Sequence, residues 1–246
     1  MNKIEWIQTI RTNIERHGYH VTVVQSGLQP RFAYTIGLNE LLGFELIFAG
    51  GVYFDHDQLI EVFYSIVEQL RLDPLKIEQG IAAKNFSGFT FSNVDNSWSK
   101  VLMPGVFDYY KIEQVKAFQI IPHKNYFTVD IPDMTTLFNA GTNPIWQWLV
   151  KEWNFEVPKE STVVTNLDAL FGHAITEVSR WELDNWEMFS GAGPDVEQED
   201  MRIVSLGIIL GIDESVAAAL QLEIGAGIWR ASAEDSWHDW EKSESM

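Results

Sequence analysis

Two histidines near the amino terminus are the first candidates for chemistry in this chain. His17 and His20 are three residues apart, a separation at which two imidazoles on one helix face can share a metal ion. Gly18 lies between them, at a position where a preceding helix is expected to end, so ligation would require that helix to continue. Since no third ligand is near in the sequence, we expect structural roles for both histidines and predict no metal site and no cofactor.

Pairs of carboxylates are the second possible source of chemistry. Glu182 with Asp184, or Glu197 with Glu199, could supply the two acids that a glycosidase needs. Acid–base catalysis needs burial to shift their pKa values, whereas the polar residues around them indicate solvated surface. We therefore assign no catalytic residue to these pairs.

The local motifs of the common enzyme classes are missing from the chain. There is no cysteine, so a thiolate nucleophile, a disulfide framework and a cysteine-bound metal are all excluded. The segment Ser190-Gly191-Ala192-Gly193-Pro194 is small enough to admit a phosphate, but Pro194 lacks a backbone donor and no lysine follows. There is also no Gly-x-Ser-x-Gly and no His-Glu-x-x-His. The sequence thus favours a protein that is not an enzyme, although sites assembled from distant residues leave no local signature.

An enzyme of unspecified reaction, such as a hydrolase, is the alternative hypothesis. Its pocket would lie in the N-terminal part, between the second predicted helix and the sheet. The polar residues that we would expect to line it are His17, His20, Tyr34, Thr35 and Asp130.

The charge of the chain restricts its partners. Thirty-five acidic and 17 basic residues give a formal net charge of −18, which repels a phosphate backbone and argues against direct nucleic-acid binding. Residues 159–246 alone carry 18 acidic and five basic residues, a net charge of −13. This asymmetry is explained either by solubility or by a surface shaped for a basic partner, and we favour the partner. No apolar run is long enough for a membrane span and no signal peptide is evident, so we predict a cytoplasmic protein without membrane association.

Tryptophan is the second unusual feature of the composition. The chain has ten, and eight of them follow Pro144. Core packing explains most of them, but four lie among acidic residues, where exposed aromatic side chains could anchor a protein interface. The predicted partner-binding residues are these four and the neighbouring carboxylates: Trp181, Trp186, Glu187, Asp195, Glu197, Glu199, Asp200, Trp237, Asp239 and Trp240.

Hydrophobic periodicity predicts the elements that must position these residues. In residues 1–158 it indicates a helix through Ile4, Ile7, Ile10 and Ile14, strands over Val21–Val24, Phe32–Ile36 and Phe44–Phe48, a helix from Asp55 to Leu72, two or three strands within 86–131, and a short aromatic helix from Pro144. In residues 159–246 it indicates strands over Ala174–Val178, Met201–Leu206 and Ile228–Arg230, a polar and aromatic segment from Trp181 to Asp200, a helix from Asp213 through Leu220, and a frayed tail from Glu241.

These elements predict an α+β protein of two modules, each a small, mostly antiparallel sheet covered by helices. We place the boundary near Pro158, which gives domains of 1–158 and 159–246. The aromatic helix from Pro144 is then expected to close the first domain.

Four motifs stand out in the first domain: His17-Gly18-Tyr19, Phe32-Ala33-Tyr34-Thr35-Ile36-Gly37-Leu38, Glu45-Leu46-Ile47 and Gln119-Ile120-Ile121-Pro122. Through them, roughly residues 10–135 resemble a bacterial family of unknown function, domain-of-unknown-function family 4262. The family usually has Trp where this chain has Tyr19, and Pro where it has Phe44, so the chain is a divergent relative. The resemblance implies a fold but no activity.

The second domain has its own series of motifs: Val178-Ser179-Arg180, Trp186-Glu187-Met188-Phe189-Ser190-Gly191, Ile203-Val204-Ser205-Leu206 and the stretch 225–230. Through them, about residues 173–231 resemble the immunity-protein-33 group, which is found beside secreted bacterial toxins. Ala-Gly-Pro follows the Phe-Ser-Gly element here, where acidic residues are expected. The resemblance implies a protein that binds and neutralises a toxin.

Charge and resemblance together lead to one functional hypothesis. The chain is predicted to be a cytoplasmic immunity (antitoxin-like) protein that occludes the active site of a cognate toxin, for example a basic nuclease-type effector. A binding module for a different ligand is a further hypothesis that the same residues would fit.

Overall fold

A computed structural model describes residues 3–83 and 85–240, with side chains from Glu5 onward. The chain divides into two compact units. The first comprises Met1–Gln25, Arg31–Phe127 and Ile131–Asn139, and the second comprises Ser26–Pro30, Thr128–Asp130 and Ala140–Met246. The predicted core position of the Ile4 side chain and the predicted frayed tail from Glu241 lie outside the described residues.

The first unit is built on a five-stranded sheet in the order β1-β2-β3-β5-β4. Each neighbouring pair is antiparallel except β3 and β5, which are parallel. Its strands are β1 (His20–Val24), β2 (Phe32–Ile36), β3 (Glu45–Ala49), β4 (Phe89–Asn93) and β5 (Ala117–Pro122). Its helices are α1 (Lys3–His17), α2 (Leu38–Leu42), α3 (His56–Leu72), α4 (Lys76–Gln79), α5 (Asn96–Leu102), α6 (Pro104–Tyr110) and a short 3-10 helix at Lys124–Tyr126.

Helix α3 begins one residue after the predicted Asp55, which is its N-cap, and packs against one face of this sheet. The Asp55 carboxylate accepts a hydrogen bond from the Gln58 N–H at 2.8 Å, and the Gln58 side chain accepts one from the Asp55 N–H at 2.9 Å. Six apolar side chains at helical spacing are buried: Leu59, Val62, Phe63, Ile66, Val67 and Leu70. They pack with Leu46 and Phe48 of β3, so the region where the alternative hypothesis placed a pocket holds a hydrophobic core.

The turn from β2 into α2 requires a glycine. Gly37 has φ 111°, a left-handed conformation that disfavours any side chain. A Cβ atom at this position would also lie only 3.0 Å from the Gly18 carbonyl oxygen and from the Tyr19 Cα atom. This close packing of the turn on the end of α1 brings the Gly37 N–H to the buried start of β3.

The second unit contains a six-stranded sheet in the order β11-β10-β7-β8-β6-β9. Only β6 and β8 are parallel. The strands are β6 (Thr162–Asn166), β7 (Glu177–Arg180), β8 (Asn185–Phe189), β9 (Met201–Ser205), β10 (Ala226–Trp229) and β11 (His238–Asp239). The helices are α7 (Leu167–Leu170), α8 (Leu206–Ile212) and 3-10 helices at Pro144–Leu149, Gly193–Asp195, Gln198–Asp200 and Glu214–Gln221.

The strand directions give this sheet two distinct ends. The carboxyl ends of β6 and β8 lie beside the amino ends of β7 and β9, and we call this the groove end. At the other end, the hairpin end, β7 turns into β8 and β10 begins. The predicted partner-binding residues are distributed over both ends.

Several predicted elements of the second unit differ from the observed ones. The segment from Trp181 to Asp200 was predicted only as polar and aromatic, but it contains strand β8. This strand is hydrogen-bonded to β6 on one side and to β7 on the other. The helices predicted from Pro144 and Asp213 are 3-10 helices, and the strand predicted over Ala174–Val178 is displaced to Glu177–Arg180.

The segment predicted to close the first domain lies in the second unit. The Trp148 indole N–H donates to the Gly207 carbonyl oxygen at 2.8 Å, beside the start of α8. A Cβ atom on Gly211 would approach the Ile145 Cα atom to 2.5 Å, so α8 and Pro144–Leu149 pack with direct backbone contact. These contacts explain why the units divide at residue 140, whereas composition indicated a boundary near Pro158.

The architecture confirms the predicted fold class. Each unit is a mostly antiparallel sheet accompanied by helices, and the chain as a whole is α+β.

Candidate functional site

A groove of about 510 Å³ lies at the groove end of the second sheet. It is formed by the segment that follows β6 and by the long connection from β8 to β9. The lining residues are Asn166, Leu167, Asp168, Phe171, Ser190, Gly191, Ala192, Asp195, Val196, Glu197 and Asp200.

Asn166 joins the two walls of this groove. Its side-chain oxygen accepts hydrogen bonds from the Ala169 N–H, at the start of α7, and from the Ser190 N–H. Its side-chain nitrogen donates to the Ser190 carbonyl oxygen at 2.8 Å. Asn166 is 4% exposed, so this is a buried connection that fixes the helix terminus relative to the β8–β9 connection.

Glu177 and Thr176 hold the β8–β9 connection in place from the neighbouring strand. The Gly193 N–H donates to the Glu177 carboxylate at 2.7 Å, and the Gly191 N–H donates to the Thr176 hydroxyl at 2.8 Å. Further along, the Arg202 guanidinium donates to the Glu199 carbonyl oxygen at 2.7 Å. Thus backbone groups of the connection are held by hydrogen bonds while its carboxylates point outward.

The groove is strongly acidic. Asp168, Asp195, Glu197 and Asp200 are all exposed, and Phe171, which is 36% exposed, lies among them. None of the described residues that line the groove is a lysine or an arginine. The site can therefore attract cations on a partner and offer one aromatic side chain for contact.

Three of the predicted partner-binding residues thus come together, and the structure adds two that sequence reasoning missed. Asp195, Glu197 and Asp200 line the groove, whereas Glu199 is exposed nearby without lining it. Asp168 and Phe171 were missed because they follow β6, a strand that was not predicted.

The other predicted partner-binding residues lie elsewhere in the second unit. Trp181 is exposed at the hairpin end, and Glu187 is half-buried in β8. Asp239 is exposed in β11, and the exposed Trp240 ring lies against Gly227. They do not form a single surface with the acidic groove.

Two of the predicted anchor tryptophans are held by arginines. Trp186 is 1% exposed with the Arg180 guanidinium 4.8 Å from its ring centre, so the prediction that it is exposed is wrong. Trp186 is buried because it faces inward in β8, a strand that the sequence analysis did not predict. Trp237 is half-buried beneath Arg230, whose guanidinium lies 4.3 Å from its ring centre and forms an ion pair with Asp213.

The residues named for an enzyme pocket do not converge. Tyr34 and Thr35 are adjacent in β2 and therefore point to opposite faces of the sheet. His17 is exposed at the end of α1, and Asp130 belongs to the second unit. His20 accepts a hydrogen bond at Nδ1 from the Asn13 side chain at 2.8 Å, and burial lowers its pKa below the usual 6.5.

A fully buried carboxylate, Glu45, was not among the predicted site residues. Glu45 lies at the start of β3. One carboxylate oxygen accepts from the Gly37 N–H at 3.0 Å, the Asn39 N–H at 3.1 Å and the Tyr110 hydroxyl at 2.8 Å, and the other accepts from the Thr35 hydroxyl at 2.6 Å.

The hydrogen bonds to Glu45 stabilise the fold of the first unit and do not form a reactive site. Burial raises the pKa of Glu45, against the opposing effect of its four donors, and burial next to Glu45 raises the pKa of the Tyr110 hydroxyl. Because both carboxylate oxygens are already occupied by donors of the same unit, Glu45 serves to hold β3 to the turn at Gly37 and the start of α2. Among the described residues, no group of three His, Asp or Glu side chains could hold a metal ion.

Part of the first unit matches a known family model. Residues 13–125 match the model of a family described as a domain of unknown function, DUF4262, which confirms the predicted resemblance of the N-terminal part. That description assigns no activity. No curated protein and no solved structure matches the chain. The resemblance of residues 173–231 to the immunity-protein-33 group stays a prediction. None of the helices in the described part of the chain combines the length and hydropathy that a bilayer crossing requires.

Proposed function

We propose that this protein is an immunity-type binding protein, which neutralises a cognate protein toxin by covering a basic surface at the toxin's active site. The observation that supports this proposal best is the acidic groove of the second unit. Four exposed carboxylates from two separate segments line it together with Phe171, and none of the described lining residues is a lysine or arginine. A groove of this composition suits a partner with lysine and arginine side chains.

Electrostatics would act mainly on the rate of association. Exposed ion pairs are each worth no more than about 1 kcal/mol, because water and salt screen them. A field of one sign raises association rates by a factor of about 10 to 1,000 at low salt. A toxin that grips phosphate groups must be basic at its active site, so an acidic protein is drawn to the surface whose occlusion stops the toxin. Apolar contacts, including Phe171, would then slow dissociation.

The proposal assigns no catalytic role to the chain. The residues considered for an enzyme pocket lie on opposite sheet faces, on the surface or in the other unit. The buried carboxylate of Glu45 has its oxygens occupied by four donors. These observations favour the binding protein over the alternative of a hydrolase.

Co-expression tests this proposal. The product of the adjacent reading frame is expressed alone and with this protein, and the purified pair is titrated. We expect a toxic product, rescue of growth by co-expression and a 1:1 complex. If both products are harmless alone and together, or if they do not associate, the proposal is contradicted.

Two variants with the same net charge show whether the groove carries the effect. Glu197→Lys with Asp200→Lys reverses two groove carboxylates, and Glu152→Lys with Glu156→Lys reverses two exposed carboxylates outside the groove. We expect only the groove variant to lose protection. Equal loss in both variants would mean that overall charge, rather than this groove, recruits the partner.

A further inference from the structure

A second surface of the same unit combines exposed apolar side chains with a rigid backbone. Trp181, Leu183 and Ile224 at the hairpin end are 52%, 59% and 59% exposed, and we call these three residues the hairpin patch. Single exposed apolar residues are common on proteins. These three, however, lie on two segments, the β7–β8 turn and the segment before β10, and Arg180 connects the two.

Arg180 connects the two segments of the hairpin patch. Its guanidinium donates to the carbonyl oxygens of Glu182 at 3.3 Å, Leu183 at 3.1 Å and Leu222 at 2.8 Å. Its own carbonyl oxygen accepts from the Gly225 N–H at 2.7 Å. Two of these hydrogen bonds hold Arg180 to the β7–β8 turn and two hold it to the segment before β10, so Arg180 connects the two segments.

The Trp186 ring packs against the Arg180 guanidinium and helps to fix its position. The buried Trp186 ring lies 4.8 Å from the Arg180 guanidinium, which orients the arginine toward the carbonyl groups. A loop fixed in this way loses little conformational entropy when it binds a partner. The patch is thus prepared for contact before any partner arrives.

The charges around the hairpin patch define what could cover it. Glu182, Asp184 and Glu223 are exposed beside it, and the positive charge of Arg180 is directed at carbonyl oxygens. An acidic rim repels the phosphates of nucleic acids and of anionic lipid headgroups. It also disfavours a second copy of this chain, because the two rims would face each other with like charge.

We propose that the hairpin patch is a docking site for a protein segment with aliphatic side chains flanked by lysine or arginine. The aliphatic side chains contact Trp181, Leu183 and Ile224, and the basic residues pair with the acidic rim. The patch lies at the opposite end of the sheet from the acidic groove, and the argument for it does not depend on toxin binding.

Fluorine NMR tests this docking site with defined peptides. The protein is labelled with 5-fluorotryptophan, and the Trp181 resonance is assigned by its absence in Trp181→Phe. An alternating Lys-Leu peptide is titrated, with Lys-Gly and Glu-Leu peptides of equal length for comparison. We expect a saturable shift of the Trp181 resonance with the Lys-Leu peptide alone. A Trp181 resonance that does not move, or that responds equally to Lys-Gly, overturns the proposal.

Matched variants separate this patch from the rest of the surface. Trp181→Ala should weaken Lys-Leu binding at least about tenfold, whereas Trp229→Ala, which removes another tryptophan that is 42% exposed, should change it little. Asp184→Lys with Glu223→Lys should also weaken binding, and Glu197→Lys with Asp200→Lys at the groove end should not. Leu183→Ser provides a second test if Trp181→Ala is poorly folded by circular dichroism. Equal losses at the two tryptophans, or self-association abolished by Leu183→Ser, would contradict the proposal.

Discussion

Glu45 shows how one buried residue connects the turn and the sheet of the first unit. Its carboxylate accepts the N–H groups of Gly37 and Asn39, and the Gly37 N–H also donates to the Tyr110 hydroxyl at 2.8 Å. We expect Glu45→Leu to lower the free energy of unfolding by about 2–4 kcal/mol, because it removes the acceptor and leaves buried donors unpaired. Urea unfolding measures this loss.

Glu40→Leu is the matched control for that substitution. Glu40 is exposed in the neighbouring helix α2, so its replacement should change the free energy of unfolding by no more than about 0.5 kcal/mol. Similar losses for both variants would show that the hydrogen bonds of Glu45 do not stabilise the fold.

The pH dependence of stability provides a separate test of Glu45. Burial raises its pKa above the ordinary 4.5, so the folded state holds this proton to a higher pH than the unfolded chain does. The stability contributed in this way is fully present below the ordinary value and is lost as the pH rises through the folded pKa. The stability difference between the natural protein and Glu45→Gln should therefore decrease as the pH rises above the ordinary pKa of 4.5. A difference that grows with pH would mean that the four donors outweigh burial.

The sequence predicted the exposure of the groove carboxylates but not the burial of Trp186. Asp195, Glu197 and Asp200 are exposed as expected, since they lie among polar and small residues. Trp186 was expected to be exposed because acidic residues surround it in sequence, yet strand alternation turns it inward. Glu45 carried a usable signal, because a single carboxylate within the apolar run 44–49 must be buried and hydrogen-bonded.

At the scale of elements, strong periodicity was the reliable guide. Helices α1 and α3 were predicted from apolar residues at helical spacing, and strands β2 and β3 from apolar runs that lie wholly in the core. Strand β1 is half-buried throughout and was predicted from its valines. Strand β8 pairs with β7, its hairpin partner, and with β6, and the polar residues between its apolar ones concealed it in the sequence. The choice between α and 3-10 geometry at Pro144 and Asp213 depends on packing.

The contact of α8 with the 3-10 helix Pro144–Leu149 gives a test at the element scale. A Cβ on Gly211 would lie 2.5 Å from the Ile145 Cα atom and 2.6 Å from its backbone nitrogen. We expect Gly211→Ala to lower the free energy of unfolding by about 2–3 kcal/mol, because backbone must move to admit the methyl group. Thermal or urea unfolding measures the change.

Gly191→Ala serves as the comparison for Gly211→Ala. Gly191 has φ 87° with nothing within 4 Å of its Cβ position, so the cost should be the conformational strain alone, about 1–2 kcal/mol. If Gly211→Ala proves the milder change of the two, the two elements are packed less closely than the structure indicates.

At the scale of the whole molecule, composition located the acidic excess but not the division into units. The Ser205 hydroxyl donates to the Leu28 carbonyl oxygen, and the Val129 N–H donates to the Leu170 carbonyl oxygen. Two short segments, Ser26–Pro30 and Thr128–Asp130, thereby join the second unit although residues of the first unit flank them in the sequence. Such long-range contacts leave no trace in local composition, so sequence alone placed a single boundary near Pro158.

The distribution of charge over the molecule leads to the central claim, that an acidic groove attracts a basic protein partner. The most direct test is the rate of association between this protein and the product of the adjacent reading frame, measured by stopped flow at low and high salt. Glu197→Lys with Asp200→Lys and the control pair Glu152→Lys with Glu156→Lys are measured beside the natural protein. We predict that salt slows association and that the groove variant associates at least about tenfold more slowly than the control at low salt. An association rate that is indifferent to salt and equal in the two variants would contradict the account.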